Sequence, residues 1–230
     1  MLVTGGNRGI GRAIVELFLA DGHRVCSADL GGEAPAGALG VTCNVTDPAA
    51  VDAAFAAAEA TNGPVEIVVV NAGITKDGLI MRMTDEQWDA VIDVNLKGAF
   101  YTARRAVKSM MRAKYGRVVF MGSVVGLFGN AGQVNYSSTK AGLIGMARSL
   151  TREVGKRGIT FNVVAPGFIE TEMTAVLPTE VTDGFKAATP AGRMGSVDDI
   201  AHAVQFLASD GAGYISGAVI PVDGGLGMGH

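Results

Sequence analysis

Three side chains of this chain are spaced to move a proton. Tyr136 and Lys140 stand four positions apart, and Ser123 precedes the tyrosine with twelve residues between them. If the segment from Asn135 onward is helical, Tyr136 and Lys140 lie one above the other on a single face. A tyrosine hydroxyl titrates near pH ~10, too high for proton transfer at neutral pH. Bringing it to about 7 takes roughly 4 kcal/mol, at ~1.36 kcal/mol per unit. One ammonium about 4 Å away, at an effective dielectric near 20, supplies about that much. The spacing therefore predicts Tyr136 as general acid, tuned by Lys140, with Ser123 holding the reacting oxygen. Tyr and Lys at this spacing also occur on ordinary amphipathic helices, so the case rests on what surrounds them.

The elements that would carry these residues alternate strand and helix. Residues 1–5 read as a short buried strand and Gly9 to Asp21 as a helix, joined by Gly5-Gly6-Asn7-Arg8-Gly9-Ile10-Gly11. A strand, a glycine-rich turn and a helix N-terminus make an anion site, because side chains are absent where a pyrophosphate approaches and free amides point at it. A Gly-Lys-Ser/Thr run is missing, which disfavours a nucleoside triphosphatase loop. Arg24 to Ala28 form the second strand, ending in Asp29, a carboxylate able to accept both hydroxyls of an adenosine ribose. Strand three (39–43) runs to Asn44-Val45. Asp47-Pro48 then starts a helix, with Asp as N-cap and Pro at N1. Strand four (65–70) ends in Asn71-Ala72-Gly73. A helix capped by Thr84 continues to about Lys114 and contains Asn95, a polar residue that in mid-helix is usually exposed or bonded to backbone. Strand five (117–121) leads to Ser123, and strand six (160–165) to Pro166-Gly167. Residues 171–196, broken by Pro178, Gly184, Pro190 and Gly195, look like a lid. Ser196 caps a last helix, and residues 218–222, containing Pro221, make a terminal or edge strand.

This order predicts a single α/β domain over 1–230, a doubly wound parallel sheet (Rossmann-type) with helices on both faces. Asp29, Asn71, Ser123 and Pro166-Gly167 then share the carboxyl edge of the sheet, where such folds bind ligands. Composition agrees: 48% of the residues are hydrophobic and 18% charged, as buried parallel strands require. A net charge of −3 gives no global attraction to nucleic acid or acidic membranes. No apolar run reaches the ~20 residues of a membrane span, and the start lacks a signal peptide's pattern, so a cytoplasmic location is expected. Cys26 and Cys43 are expected as buried free thiols, and three scattered histidines offer no metal site.

Thr4-Gly-Gly-Asn-Arg-Gly-Ile-Gly11, Asn71-Ala-Gly73, Asn95, Ser123, Tyr136-x-x-x-Lys140 and Pro166-Gly167 together resemble the short-chain dehydrogenase/reductase family over the whole chain. The chain is most similar to bacterial 3-oxoacyl-(acyl-carrier-protein) reductases, through Asn71-Ala-Gly-Ile-Thr-Lys-Asp, Leu79-Ile-Met-Arg-Met and Asn162-Val-Val-Ala-Pro-Gly-Phe-Ile-Glu-Thr-Glu-Met173. Its ending, Gly217 to His230, resembles the actinobacterial branch. The resemblance implies NAD(P)H-dependent reduction of a 3-oxoacyl thioester in fatty-acid biosynthesis. An acetoacetyl-CoA reductase, another secondary alcohol dehydrogenase or a non-catalytic dinucleotide-binding scaffold are the alternatives. It implies that Lys140 also binds the nicotinamide ribose, that Asn95 holds a water in a proton relay, and that Gly5, Asn7, Arg8, Gly9, Ile10 and Gly11 hold the pyrophosphate side. Asn44 and Val45 would flank the adenine, Asn71, Ala72 and Gly73 would line the cleft, and Pro166, Gly167, Ile169 and Thr171 would face the nicotinamide. Such reductases generally use NADPH, which Arg8 suits, whereas Asp29 repels a 2′-phosphate and favours NADH. The implied partner is acyl carrier protein, docking on basic residues drawn from Arg112, Lys114, Arg117, Lys156 and Arg157, with Lys114 and Arg157 at the family's docking positions. A homotetramer is implied as well. Val124, Val125, Leu127, Phe128, Phe168 and Met173 are candidates for an acyl pocket or for plain packing.

Overall fold

In the computed structural model, which describes all residues except 173, 175–177, 229 and 230, seven parallel strands form one sheet. In chain order they are β1 (Leu2–Thr4), β2 (Cys26–Asp29), β3 (Leu39–Thr42), β4 (Ile67–Val70), β5 (Gly116–Met121), β6 (Ile159–Pro166) and β7 (Val219–Val222). Their spatial order is β3-β2-β1-β4-β5-β6-β7. Connections from β1 run first to one side, through β2 to β3, and then return past β1 to β4 and beyond. The switch between β1 and β4 opens a crevice at the carboxyl edge, the position where doubly wound sheets take ligands.

Successive strand residues face opposite sides and divide the core in two. Leu2, Val68, Val118 and Phe161 point to one face, against α2 (Pro48–Asn62), α4 (Gly98–Ala113) and α6 (Val134–Val154). Val3, Val69, Val119 and Val164 point to the other, against α1 (Gly9–Ala20) and α8 (Val197–Ala208). Both faces are covered, which is why these strands read as unbroken apolar runs. Pro221 lies on β7, at the edge of the sheet, where its missing N–H is harmless.

Local signals placed most helix ends. Asp47 accepts from Ala49 N–H, with Pro48 at N1. Thr84 and Gln87 cap α3 (Asp85–Ile92) reciprocally, and Ser196 and Asp199 do the same for α8. The long helix expected from Thr84 to Lys114 is not continuous. It is α3, then a π-turn (Asp93–Lys97), then α4, which ends with Lys114 in the left-handed region at φ 56°. Two helices were not expected from the sequence: α5 (Val125–Phe128), between Ser123 and Tyr136, and α7 (Thr179–Ala188), within the lid-like stretch. Cys26 and Cys43 are buried free thiols, each pushed up to about 11 by burial.

Candidate active site

The cofactor side of the crevice is built by the turn from β1 to α1. Gly5 takes φ +67°, and a Cβ on Gly11 would lie 2.0 Å from the Gly5 carbonyl, so only glycine lets helix and strand meet this closely. Gly9, at φ +52°, has nothing within 4 Å of where a Cβ would stand. No side chain caps α1, so its first-turn N–H groups face that open space. Glycine cradle and uncapped helix fit the pyrophosphate of a dinucleotide. Asn71 fixes the turn from β4, its Nδ2 donating to the carbonyls of Thr4 (3.0 Å) and Gly5 (2.8 Å). Thr4 Oγ1 receives the N–H groups of Asn71 and Ala72, a bracing role that the sequence reading had not assigned.

Asp29 ends β2 and accepts the Asn7 backbone N–H through Oδ2 at 3.1 Å. Arg8 is exposed and makes no ion pair among the described residues. Ile10, in the first turn of α1, is partly buried against the core on that face of the sheet. Asn44 spends its carbonyl on the N–H and hydroxyl of Thr46, while Val45 is buried where a Cβ on Gly98 would touch it. Val45 therefore has only its backbone to offer an adenine, whereas the exposed Asn44 keeps its Nδ2. At the other end, Val124 N–H donates to Pro166 O and Gly167 N–H to Val222 O. Ile169 is buried in the core beside β6, and Thr171 N–H donates to Thr174 Oγ1. Met173 lies outside the described residues.

The reacting groups meet at the same edge. Ser123 follows β5, its Oγ accepting the Val125 N–H and lying beside the Tyr136 side chain. Lys140 Nζ stands 5.3 Å from the centre of the Tyr136 ring, so the two do share a face of α6. Yet the ammonium donates to Met121 O at 2.7 Å, and burial lowers Lys140 to about 8. Tyr136 is pushed up to about 12 by burial, with the Ser123 hydrogen bond opposing. The expectation that Lys140 alone brings the hydroxyl toward neutrality is therefore corrected: a flexible lysine turns its charge to the carbonyl ending β5.

Asn95 is buried at 2% exposure. Its Oδ1 accepts the Ile74 N–H, and its Nδ2 donates to Ile74 O and Thr139 Oγ1. The π-turn rotates it inward; such turns are frequent at functional sites. A Cβ on Gly73 would stand 3.3 Å from Asn95 Oδ1 and 3.6 Å from Lys140 Nζ, so strand four's turn, the π-turn and α6 converge there. Asn135, fully buried, was missed as a site residue. Its Nδ2 donates to Lys76 O and Gln87 O, binding the residue beside Tyr136 to the opposite wall. In sequence it is only an Asn next to a Tyr.

Of the expected pocket residues, Val124 is buried packing, Phe128 is half-exposed, and Phe168 stacks on Phe185 of α7 with ring centres 3.9 Å apart. Arg117 leaves the proposed basic patch. It is 5% exposed, bonded to the carbonyls of Gly116, Gly158 and Ser209 and paired with Asp210. Lys114 and Arg157 are exposed and precede β5 and β6, so they lie at the amino edge of the sheet, opposite Ser123.

A glycine cradle at the switch point and a Ser-Tyr-Lys-Asn cluster on one sheet define a short-chain dehydrogenase/reductase, and the chain belongs to that oxidoreductase family. The family model described as enoyl-(acyl carrier protein) reductase matches residues 5–227. Among its relatives is the 3-oxoacyl-(acyl-carrier-protein) reductase MabA of Mycobacterium tuberculosis, 54% identical over all of this chain and 93% of the relative. The corresponding reductase FabG of Escherichia coli is 48% identical over 99% of this chain and 96% of its own length. Among solved structures, levodione reductase superposes with a TM-score of 0.94 at 31% identity, covering 100% of this chain and 97% of that one. Among the described residues no helix is long and apolar enough to cross a membrane, and no cluster of His, Cys, Asp or Glu could hold a metal ion.

Proposed function

We propose that this protein reduces the 3-oxo group of an acyl thioester on acyl carrier protein to the 3-hydroxy group, at the expense of NAD(P)H. One observation carries the chemistry: Tyr136 stands beside Lys140 on one face of α6 and next to Ser123, at the sheet edge that also bears the glycine cradle. The bound nicotinamide supplies the hydride. Tyr136 holds the proton that the reduced carbonyl oxygen requires, and Ser123 donates to the same oxygen. Lys140 supplies the buried cation for a ribose hydroxyl and for the oxygen's developing charge. Asn95 keeps the 71–74 turn against α6 and retains one Oδ1 lone pair for a relay water. The names of the relatives at 54% and 48% identity support the thioester substrate.

Asp29 favours NADH over the NADPH habitual in similar reductases, because a carboxylate about 4–5 Å from a 2′-phosphate is repelled by several kcal/mol at an effective dielectric near 20. Arg8 opposes this only if it turns to the phosphate. Lys114 and Arg157 would receive the acidic carrier protein at the amino edge of the sheet, from which its acyl arm must reach round to the carboxyl edge or to the site of a neighbouring subunit. Phe100 and Met111, exposed on the outer side of α4, and the free edge of β7 are surfaces suited to a homotetramer.

Steady-state kinetics with carrier-bound and CoA-bound 3-oxoacyl substrates, each with both cofactors, tests this reading. Carrier-bound substrate with NADH is expected to give the highest kcat/KM. In the Lys114→Glu, Arg157→Glu double variant KM should rise for the carrier-bound substrate alone. Equal turnover of both thioesters, unaffected by the variant, would instead make this a CoA-thioester reductase.

A further inference from the structure

Asn7 stands inside the glycine turn, where a role as cofactor ligand was expected, yet its side-chain amide has no proton left to donate to a cofactor. Both protons of Nδ2 go to the loop after β2, at 2.8 Å to Gly31 O and 3.0 Å to Gly32 O. Oδ1 accepts from Ser27 Oγ at 2.6 Å, and Ser27 is completely buried in β2. The contact is possible only because residue 6 is glycine: a Cβ there would stand 2.4 Å from Ser27 Oγ. The Asn7 backbone N–H takes Asp29 Oδ2. One residue thus ties the glycine turn to the buried middle of β2, to the carboxylate at its end, and to the two carbonyls beyond.

Resting on the reading that this crevice takes a nicotinamide dinucleotide, we infer that Asn7 is a positioning residue for cofactor choice. It pins Asp29 and the Gly31-Gly32 turn into an edge that accepts ribose hydroxyls and excludes a 2′-phosphate. With Oδ2 committed, Asp29 presents Oδ1 to the ribose and cannot swing aside to admit a phosphate dianion. The pinned turn cannot retreat either, and Leu30, exposed beside it, brings no positive charge. Exclusion of the phosphate then depends on a fixed carboxylate as well as on its sign.

Titration of NADH and NADPH, followed by the fluorescence of the bound reduced nicotinamide without any thioester, reads the dissociation constants directly. Wild-type protein is expected to favour NADH. Asn7→Ala removes the three side-chain bonds that hold the turn but keeps the backbone N–H to Asp29, and by loosening the turn that carries this N–H it should cut the NADH-to-NADPH preference about tenfold. Ser27→Ala, which removes only the Oδ1 contact, should shift it the same way and carries the test if Asn7→Ala fails to fold. In an Asp29→Ser background, Asn7→Ala should leave the preference where Asp29→Ser put it. Equal weakening of both dinucleotides by Asn7→Ala, an undiminished Asn7 effect without Asp29, or a wild-type preference for NADPH would each overturn the inference. Wild-type protein that binds neither dinucleotide would overturn the cofactor reading itself, and this inference with it.

Discussion

Tyr136 at about 12 and Lys140 at about 8 are both held toward their neutral forms by burial. A hydroxyl in that state keeps its proton firmly. Tyr136→Phe removes the proton and keeps the ring. It should lower reduction by about 10²–10⁴-fold while leaving dinucleotide binding nearly intact. Single-turnover oxidation of NADH and a fluorescence titration check the two halves, and substantial residual reduction would displace Tyr136 as the acid. The i, i+4 spacing of Tyr136 and Lys140 was legible because it is a property of one helix. Where Lys140 sends its charge was not, because the accepting carbonyl belongs to β5. Asn7 and Asn135 were opaque for the same reason: each acts on backbone far away in sequence.

Among the elements, the π-turn at Asp93–Lys97 holds two walls of the site together through Asn95. Asn95→Ala leaves the Ile74 N–H and carbonyl without partners in a partly buried position. The expected loss is about 1–3 kcal/mol of stability, read as a lower urea midpoint. In the surviving folded protein kcat should fall more than KM for the thioester, since the turn lining Gly73 loosens beside Lys140. Unchanged stability and kcat would remove Asn95 from this role. Helix starts were readable wherever capping is local, as at Asp47-Pro48, Thr84 and Ser196. The π-turn was not, because it answers to Ile74 and Thr139 across the crevice. Nor was α7, which has no buried residue and is docked by the Phe185–Phe168 stack, leaving no apolar period to read.

For the molecule as a whole, the buried lysine links folding to pH. An unfolded lysine titrates near ~10.4, whereas folded Lys140 is lowered to about 8. Between these values the unfolded chain holds a proton that the folded chain has shed, so stability rises with pH there. The buried thiols and Tyr136, all raised, act oppositely, the thiols from about pH 9 and the tyrosine from about pH 10 upward. From pH 8 to 9, wild type should therefore gain about 1 kcal/mol relative to Lys140→Met, seen in urea midpoints across that window. Parallel midpoints for the two proteins would contradict the burial of a titrating ammonium.

The central place of β1 in the sheet has a consequence for synthesis. Leu2 pairs with Cys26 on one side and with Val68 on the other, and the carbonyls of Thr4 and Gly5 wait for Asn71. A nascent chain that stops before Ile67 carries an apolar strand with one bare edge and an unbraced glycine turn. Such an edge templates pairing with other chains. Because β1 is made well before β4 and closed in later, the ribosome-bound protein passes through a stage in which a strand buried in the finished sheet is open to other chains.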